Sequence, residues 1–208
     1  MKLDSIAFAL AGMVFGLLAG WVIGAQYTAT RTVPPAVASA VPATQGTAQQ
    51  PPPPSPPPPL NETDVEKYRA QAEAEPTSVA PRVALANLYF DAERYTDAVT
   101  WYEAAMKLDA RNADVSTDLG VSYYYLNQPD RALQQFEHSL SVNPRHTKTM
   151  LNLGIVRAFG KQDLAGATKA WQGVVDMAPN SPEGQAARRA LDAMKNAHPD
   201  VSGQAPGT

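Results

Sequence analysis

The chain has 208 residues, of which 44% are hydrophobic, with 17 basic and 20 acidic side chains and a formal net charge of −3. This balance provides no basic field to neutralise many phosphates, so nucleic acid is not expected as a partner. The chain has no cysteine, which excludes disulfides, thiolate nucleophiles and cysteine-ligated metal sites.

The 3 histidines are scattered, and the sequence shows neither metal-ligand spacing nor a phosphate-binding loop. Acidic residues are plentiful but follow exposed helical positions. We therefore expect no catalytic, cofactor-binding or metal-binding residues and no small-molecule substrate. The protein is predicted not to be an enzyme.

The first predicted element is an apolar helix that follows a short tail, residues 1–5. Residues 6–25 carry no charged or strongly polar side chain, and such a helix, at about 1.5 Å per residue, spans about 30 Å of hydrocarbon. A cleaved signal peptide is the alternative, but its apolar region is usually about 7–15 residues long. We predict a single transmembrane helix. Because Lys2 lies close to the span, we place the N-terminus in the cytoplasm and the rest of the chain outside it, in the periplasm of a bacterium.

Glycine recurs at every fourth residue of this predicted span, as Gly12, Gly16, Gly20 and Gly24. These residues lie on one stripe of the helix, along which two backbones can approach closely. The stripe predicts self-association of the chain as a homodimer. The alternative is that glycine is simply common in membrane helices.

Residues 26–60 are predicted to form a proline-rich linker, in which Arg31 is the only charged residue. The run from Pro51 to Pro59 is interrupted only by Ser55. Because consecutive prolines fix φ and lack amide donors, this run predicts a polyproline II rod about 28 Å long. We interpret it as a spacer. Docking of a partner that reads PxxP motifs is the alternative, but no Lys or Arg flanks the run to orient it.

A helix is predicted within residues 61–78. Thr63 and Glu66 have the spacing of a capping box, in which the threonine oxygen accepts a first-turn amide and the glutamate reaches back. Tyr68 and Pro76 occupy the positions of the aromatic residue and the closing proline in the repeat units that follow. The segment is predicted to be half a repeat that shields the first full unit.

Residues 79–180 repeat the same residue types at a spacing of 34 residues. The first half of each unit repeats Leu85, Ala86 and Tyr89 as Leu119, Gly120 and Tyr123, then as Leu153 and Gly154. The second half repeats Ala98, Tyr102 and Ala105 as Ala132, Phe136 and Ser139, then as Ala167, Trp171 and Val174, and Pro144 and Pro179 close the last two units. This pattern resembles the tetratricopeptide repeat. The predicted units are 79–112, 113–146 and 147–180, the last with one extra residue around the turn at Gly160–Gly166.

The resemblance implies an all-α fold, a solenoid of antiparallel helix pairs. Residues 181–198 are predicted to form a C-terminal capping helix, because a terminal repeat otherwise exposes its apolar face. Residues 199–208 are predicted to be a disordered tail. With its N-terminal span, the chain is similar to membrane-anchored bacterial tetratricopeptide proteins.

The resemblance also implies that the first helix of each unit lines a concave groove with residues two, five, nine, twelve and thirteen of the unit. We predict that protein or peptide partners bind there through largely apolar contacts. The predicted binding residues are Val83, Asn87, Phe90, Thr117, Val121, Tyr124, Tyr125, Lys148, Leu151, Ile155 and Phe159, and the same rule adds Ala80, Asp91, Asp114 and Ala158 to the lining. The alternative is that several of these side chains pack between helices or are covered by a chain terminus.

One group of tetratricopeptide domains captures the C-terminal carboxylate of chaperone tails with Lys and Asn side chains. In this chain Asn87 and Lys148 match that pattern. Val83, Asp118 and Asn152 do not, and Asp118 would repel a carboxylate. The sequence excludes this class of partner.

These features together predict a membrane-anchored scaffold or adaptor that binds protein partners. Two alternatives remain open. The layout is similar to that of cytochrome c biogenesis factors that hold apocytochrome peptides. The chain could also be a structural element that self-assembles through the glycine stripe.

Overall fold

The computed structural model describes residues 56–197 of the chain. The N-terminal tail, the predicted transmembrane helix with its glycine stripe, most of the linker and the C-terminal tail lie outside the described residues. Among the helices of residues 56–197, none combines the length and apolar character needed to cross a bilayer.

The described part of the chain folds into eight α-helices without a β-strand. The helices are α1 (Glu62–Ala74), α2 (Ala80–Asp91), α3 (Tyr95–Leu108), α4 (Ala113–Tyr125), α5 (Pro129–Val142), α6 (Thr147–Ile155), α7 (Leu164–Met177) and α8 (Pro182–Ala197). A π-helical turn, Val156–Gly160, continues α6. Each helix packs against the next one in the chain. The predicted all-α solenoid is confirmed for this part of the protein.

Glycine at the repeat positions allows the two helices of a pair to approach closely. A Cβ atom at Gly120 would lie 2.6 Å from Cε1 of Phe136, and one at Gly154 would lie 2.2 Å from Nε1 of Trp171. Both aromatic side chains are completely buried. Nε1 of Trp171 donates a hydrogen bond to the carbonyl of Leu151 at 3.0 Å. The small residue and the large ring together set the distance between paired helices.

Helix α1 lies within the predicted range 61–78, but its N-cap precedes the predicted capping box by two residues. Asn61 is its N-cap, and its side-chain oxygen accepts from the amide of Asp64 at 3.3 Å. Asparagine is among the preferred N-cap residues because its oxygen satisfies a first-turn donor. The capping box predicted at Thr63 and Glu66 is therefore wrong, since both residues lie within the helix.

Arg82 of α2 links α1 to the first full unit. Its Nη1 donates to the carbonyls of Ser78 and Glu75 at 2.6 and 3.3 Å, and its Nη2 donates to the carbonyl of Ala72 at 3.2 Å. Carbonyls at the end of a helix lack intrahelical donors. One guanidinium thus satisfies acceptors at and just beyond the end of α1.

The turn after the first helix of each unit contains a residue in the left-handed region. These residues are Glu93, Asn127 and Gln162, with φ of 57°, 57° and 56°. Glu93 and Asn127 are 34 positions apart, whereas Asn127 and Gln162 are 35 apart. The three turns are equivalent, so the extra residue of the third unit precedes Gln162.

The π-helical turn takes up this extra residue. The first residues of α4 and α6, Ala113 and Thr147, are still 34 positions apart, so the insertion falls within α6 or its extension. The amide of Lys161 donates to the carbonyl of Val156 at 3.1 Å, the i→i+5 pattern that accommodates one more residue per turn. The insertion predicted around Gly160–Gly166 therefore lies earlier, inside the first helix of the unit.

Candidate functional site

The structure divides the predicted groove residues according to their exposure. Thr117, Val121, Leu151 and Ile155 are buried, with at most 8% of each residue exposed. These four present no open surface to a partner. The half-buried members are Val83, Asn87, Phe90, Tyr124 and Lys148, and the exposed ones are Tyr125 and Phe159. Binding of a partner by these seven stays a prediction.

Thr117 is buried because it belongs to a hydrogen-bonded group between the second and third units, which we call the hydroxyl cluster: Thr117, Ser139 and Thr149. Oγ1 of Thr117 lies 3.0 Å from Oγ of Ser139 and 2.6 Å from Oγ1 of Thr149. The carbonyl of Ala113 accepts from Thr117 at 2.7 Å and from Ser139 at 2.9 Å. All three side chains are completely buried. The cluster joins α4, α5 and α6.

His146 closes the hydroxyl cluster at the protein surface. Its Nδ1 lies 2.5 Å from Oγ1 of Thr149, and its Nε2 lies 3.1 Å from Oδ1 of Asp114. A proton on Nε2 serves the carboxylate and leaves Nδ1 to accept from the threonine. The predicted groove residue Asp114 therefore orients a junction side chain.

Asn87 is oriented by the second helix of its own unit. The hydroxyl of Tyr102 donates to Oδ1 of Asn87 at 2.6 Å, and Tyr102 is buried. This bond uses the oxygen of the amide, and no partner for Nδ2 is found within residues 56–197. The Nδ2 hydrogens can therefore donate to a carbonyl of an extended chain.

Asp118 and Lys148 form an ion pair across the second and third units. Nζ lies 2.7 Å from Oδ1, and the side chains are 27% and 22% exposed for the lysine and the aspartate. Burial raises the pKa of Asp118, against the opposing effect of Lys148. Burial and the charge of Asp118 raise the pKa of Asp91. Carboxylates thus outnumber cations in this part of the surface.

Four rings meet where α2 and α4 end and α3 begins. We call Phe90, Tyr95, Tyr124 and Tyr125 the aromatic shelf. Tyr95 and Tyr125 stack, with centroids 4.5 Å apart and planes 7° from parallel. Phe90 contacts them edge-on, with centroids 5.4 and 5.9 Å away. Tyr124 lies 6.2 Å from Tyr125. Tyr95 is the member that the repeat pattern missed, since it comes from the second helix of its unit.

The tyrosines of the shelf keep their protons at neutral pH. Burial raises the pKa of Tyr124, and burial, Tyr124 and the negative charge of Glu93 raise the pKa of Tyr125 to about 12. Burial, Tyr125 and Glu93 also raise the pKa of Tyr95. In the described part of the chain, none of the three phenol hydroxyls makes a hydrogen bond. Each is therefore a candidate donor toward a ligand.

The insertion in the third unit lies next to a predicted groove residue. Phe159 falls within the π-helical turn, Val156–Gly160, where the spacing changes from 34 to 35 residues. Phe159 is 44% exposed, similar to Tyr125 at 38%, whereas Ala158 is buried. The pairing of Phe159 with Tyr125 at a 34-residue spacing stays a prediction.

A cavity of about 530 Å³ lies between α3 and α5. Arg131, Tyr123 and Glu103 line it. Cζ of Arg131 lies 3.9 Å from the ring centroid of Tyr123, and its Nη2 lies 3.1 Å from Oε1 of Glu103. The hydroxyl of Tyr123 also donates to Glu103. These charged groups already satisfy one another, so the aromatic shelf and Asn87 are the better candidates for recognition.

Comparisons with known proteins match the repeats. Residues 86–127 match a family model described as a TPR repeat, and residues 117–182 match one described as a tetratricopeptide repeat. BBSome complex member BBS4 of Bos taurus is 32% identical over 90 residues, 43% of this chain and 17% of that protein. Protein O-mannosyl-transferase TMTC3 of Homo sapiens is 26% identical over 111 residues, 53% of this chain and 12% of that protein. The chain thus matches less than a fifth of the length of these relatives.

Solved structures share the fold at lower identity. MamA of Desulfovibrio magneticus RS-1 has a TM-score of 0.60 at 20% identity, covering 68% of this chain and 77% of that one. The first TPR domain of human RPAP3 has a TM-score of 0.55 at 24% identity, covering 62% and 99%. The first TPR of Spaghetti (RPAP3) bound to the HSP90 peptide SRMEEVD has a TM-score of 0.53 at 24% identity, covering 59% and 94%.

Proposed function

We propose, on the premise that residues 86–182 are tetratricopeptide repeats, that the chain is a scaffold that binds polypeptide partners through the first helices of its units. The observation that carries the proposal is the fixed amide of Asn87, whose oxygen is held by Tyr102 and whose Nδ2 is directed elsewhere. Half-buried Val83 and Phe90 lie on the same helix. A similar fold, in RPAP3, binds a peptide.

The partner we propose is not an acidic chain terminus. Lys148, which matches the carboxylate-capturing pattern, is paired with Asp118 at 2.7 Å. Asp91 and Asp114 add exposed negative charge to the predicted groove. An acidic peptide such as SRMEEVD would meet repulsion here. Apolar side chains are therefore the proposed basis of recognition.

We also propose that the scaffold is anchored in a membrane. The support is the apolar segment 6–25, with Lys2 before it and the proline-rich residues 26–60 after it. In this arrangement the N-terminus lies in the cytoplasm and the repeats on the periplasmic side of a bacterial membrane. The glycine stripe would add self-association, which the variant Gly16→Leu/Gly20→Leu should abolish in membrane crosslinking.

The binding proposal is tested by photo-crosslinking in native membranes with the full chain. A benzophenone amino acid at Val83 should capture a polypeptide that mass spectrometry can identify. The same residue at Glu137, exposed on α5, should not capture it. Equal capture from both positions, or none from Val83, would reject the proposal.

Asn87→Asp provides a matched variant. It keeps an oxygen for the hydroxyl of Tyr102 but lacks the Nδ2 donors. We expect the fold, monitored by circular dichroism, to remain and crosslinking from Val83 to fall severalfold. Unchanged capture would show that the amide donates nothing to the partner.

A further inference from the structure

We propose that the aromatic shelf binds a proline-rich peptide in the polyproline II conformation, with a basic residue flanking its prolines. This inference rests on the proposed function, because it names the class of polypeptide that the scaffold would bind. Three properties of the shelf support it: the arrangement of the rings, the hydroxyl donors and the unpaired acidic charge beside them.

The rings provide the kind of surface on which proline packs. Tyr95 and Tyr125 are stacked at 4.5 Å, and Phe90 contacts both edge-on. The rings thereby hold each other in place, while Tyr125 remains 38% exposed. Proline-rich segments dock on aromatic-lined surfaces of this kind, and their preformed helix loses little entropy on binding.

The hydroxyls provide hydrogen-bond donors for the carbonyls of a polyproline II backbone. Such a backbone makes no internal hydrogen bonds, and a run of prolines presents carbonyl acceptors without amide donors. Tyr95, Tyr124 and Tyr125 offer three phenol donors, which have no acceptor within residues 56–197. The phenol hydroxyls of the shelf can therefore donate to the carbonyls of the proline run.

The charge beside the shelf indicates the flanking residue. Glu93 follows α2 and lies close enough to Tyr95 and Tyr125 to influence both, and Asp91 is the last residue of α2. Neither carboxylate forms an ion pair within the described residues. The neighbouring cation, Arg94, is already paired with Asp97 at 2.7 Å. A Lys or Arg on the peptide would supply the missing positive charge.

The test uses the full-length protein in detergent and two fluorescent peptides read by anisotropy. The neutral peptide has the sequence of residues 49–60, QQPPPPSPPPPL, and the basic peptide is the same with Gln50→Arg and Leu60→Arg, so that either orientation presents a cation. We expect the basic peptide to bind at least tenfold more tightly at low salt. That advantage should shrink at 1 M salt and in Glu93→Gln.

Variants of the shelf then distinguish the contribution of the rings to peptide binding from that of the hydroxyls. Tyr125→Phe should weaken binding severalfold and Tyr125→Ala should abolish it, whereas Leu108→Ala, at an exposed residue outside the shelf and the predicted groove, should leave it unchanged. Circular dichroism verifies that each variant is folded. Equal binding of the two peptides, no binding of either, or normal binding by Tyr125→Ala would overturn the proposal. If crosslinking from Val83 still captures a partner in that case, the scaffold function stands and only the class of partner is wrong.

Discussion

The junction between the first and second units and the junction between the second and third occupy the same three repeat positions but differ in chemistry. At the first junction these positions hold Val83, Ala105 and Val115, and at the second they hold the hydroxyl cluster, Thr117, Ser139 and Thr149. The spacing of 34 residues relates each member of one set to its counterpart. The repeat spacing therefore determines which positions lie at the contact between helices. It does not determine whether the side chains at those positions are apolar or hydrogen-bonded.

This difference suggests a division of roles. A buried hydroxyl is costly unless it is hydrogen-bonded. At the second junction, every hydroxyl of the cluster is satisfied by internal hydrogen bonds. No buried side-chain polar atom in residues 56–197 lacks a partner. Such a network favours one alignment of the helices. The first junction carries the aromatic shelf, with the exposed ring of Tyr125 and with phenol hydroxyls that have no acceptor within the described residues. We infer that recognition belongs to the first junction and rigidity to the second.

The largest expected effect concerns the core of the second unit, which takes part in both junctions. Phe136→Ala empties a completely buried site in the second unit, beside Gly120. We expect the free energy of unfolding to fall by about 3–5 kcal/mol, measured by urea denaturation with circular dichroism. Leu108→Ala, at a residue 41% exposed, is the control and should change it by less than about 0.5 kcal/mol. A small loss in Phe136→Ala would mean that the units do not depend on a shared core.

The second-largest effect is expected when the hydroxyl cluster of the second junction is replaced by the apolar residues of the first. Thr117→Val leaves Ser139 and Thr149 short of a partner, so we expect a loss of about 1–3 kcal/mol in the free energy of unfolding. Adding Ser139→Ala and Thr149→Val reproduces the residues of the first junction. Because all three hydroxyls are then absent, much of the stability should return. A triple variant that is less stable than the single one would contradict this account.

A smaller effect on stability is expected at the aromatic shelf. Tyr125→Ala removes one stacked, one edge-on and one tilted ring contact, and because the side chain is partly exposed we expect a loss of about 1 kcal/mol. Peptide binding should be lost in the same variant and retained in Thr117→Val. Thermal unfolding and anisotropy, measured on both proteins, would show whether stability and recognition are separable in this way.

The smallest effect is a dependence on pH. The folded-state pKa of Asp91 lies above its ordinary value of 3.8 because of burial and Asp118. Between 3.8 and the raised pKa the folded state binds more protons than the unfolded one, so stability falls as the pH rises through this window. Asp91→Asn should flatten that slope and gain less than about 0.5 kcal/mol at pH 7. Urea denaturation at pH 4 and pH 7 measures both quantities. A steeper slope in the variant would contradict the sign.

The sequence predicted the helix pairs well because their determinants are local and repeated. Gly120 and Gly154 oppose Phe136 and Trp171 at the predicted positions. Exposure was harder to predict. Thr117 is polar and was placed on an open groove, but hydroxyls from two other helices bury it, and neither neighbour is close in sequence.

The details that the sequence missed depend on one residue each. The insertion of the third unit was placed around Gly160–Gly166, because the π-helical turn at Val156–Gly160 absorbs it without changing the composition of the unit. Asn61 preceded the apparent capping box by two positions and was the better cap. Tyr95 joined the shelf from the start of α3, outside the positions that the family rule considers. No periodicity marks these three features.

The bonds that Arg82 donates to Ala72 and Glu75 have a mechanical consequence. Tension on the chain before Asn61 enters the repeats through α1. Peeling the end of that helix away from α2 would load two hydrogen bonds from one guanidinium together, instead of breaking them in succession. The N-terminal helix is therefore suited to transmit force from the linker into the array.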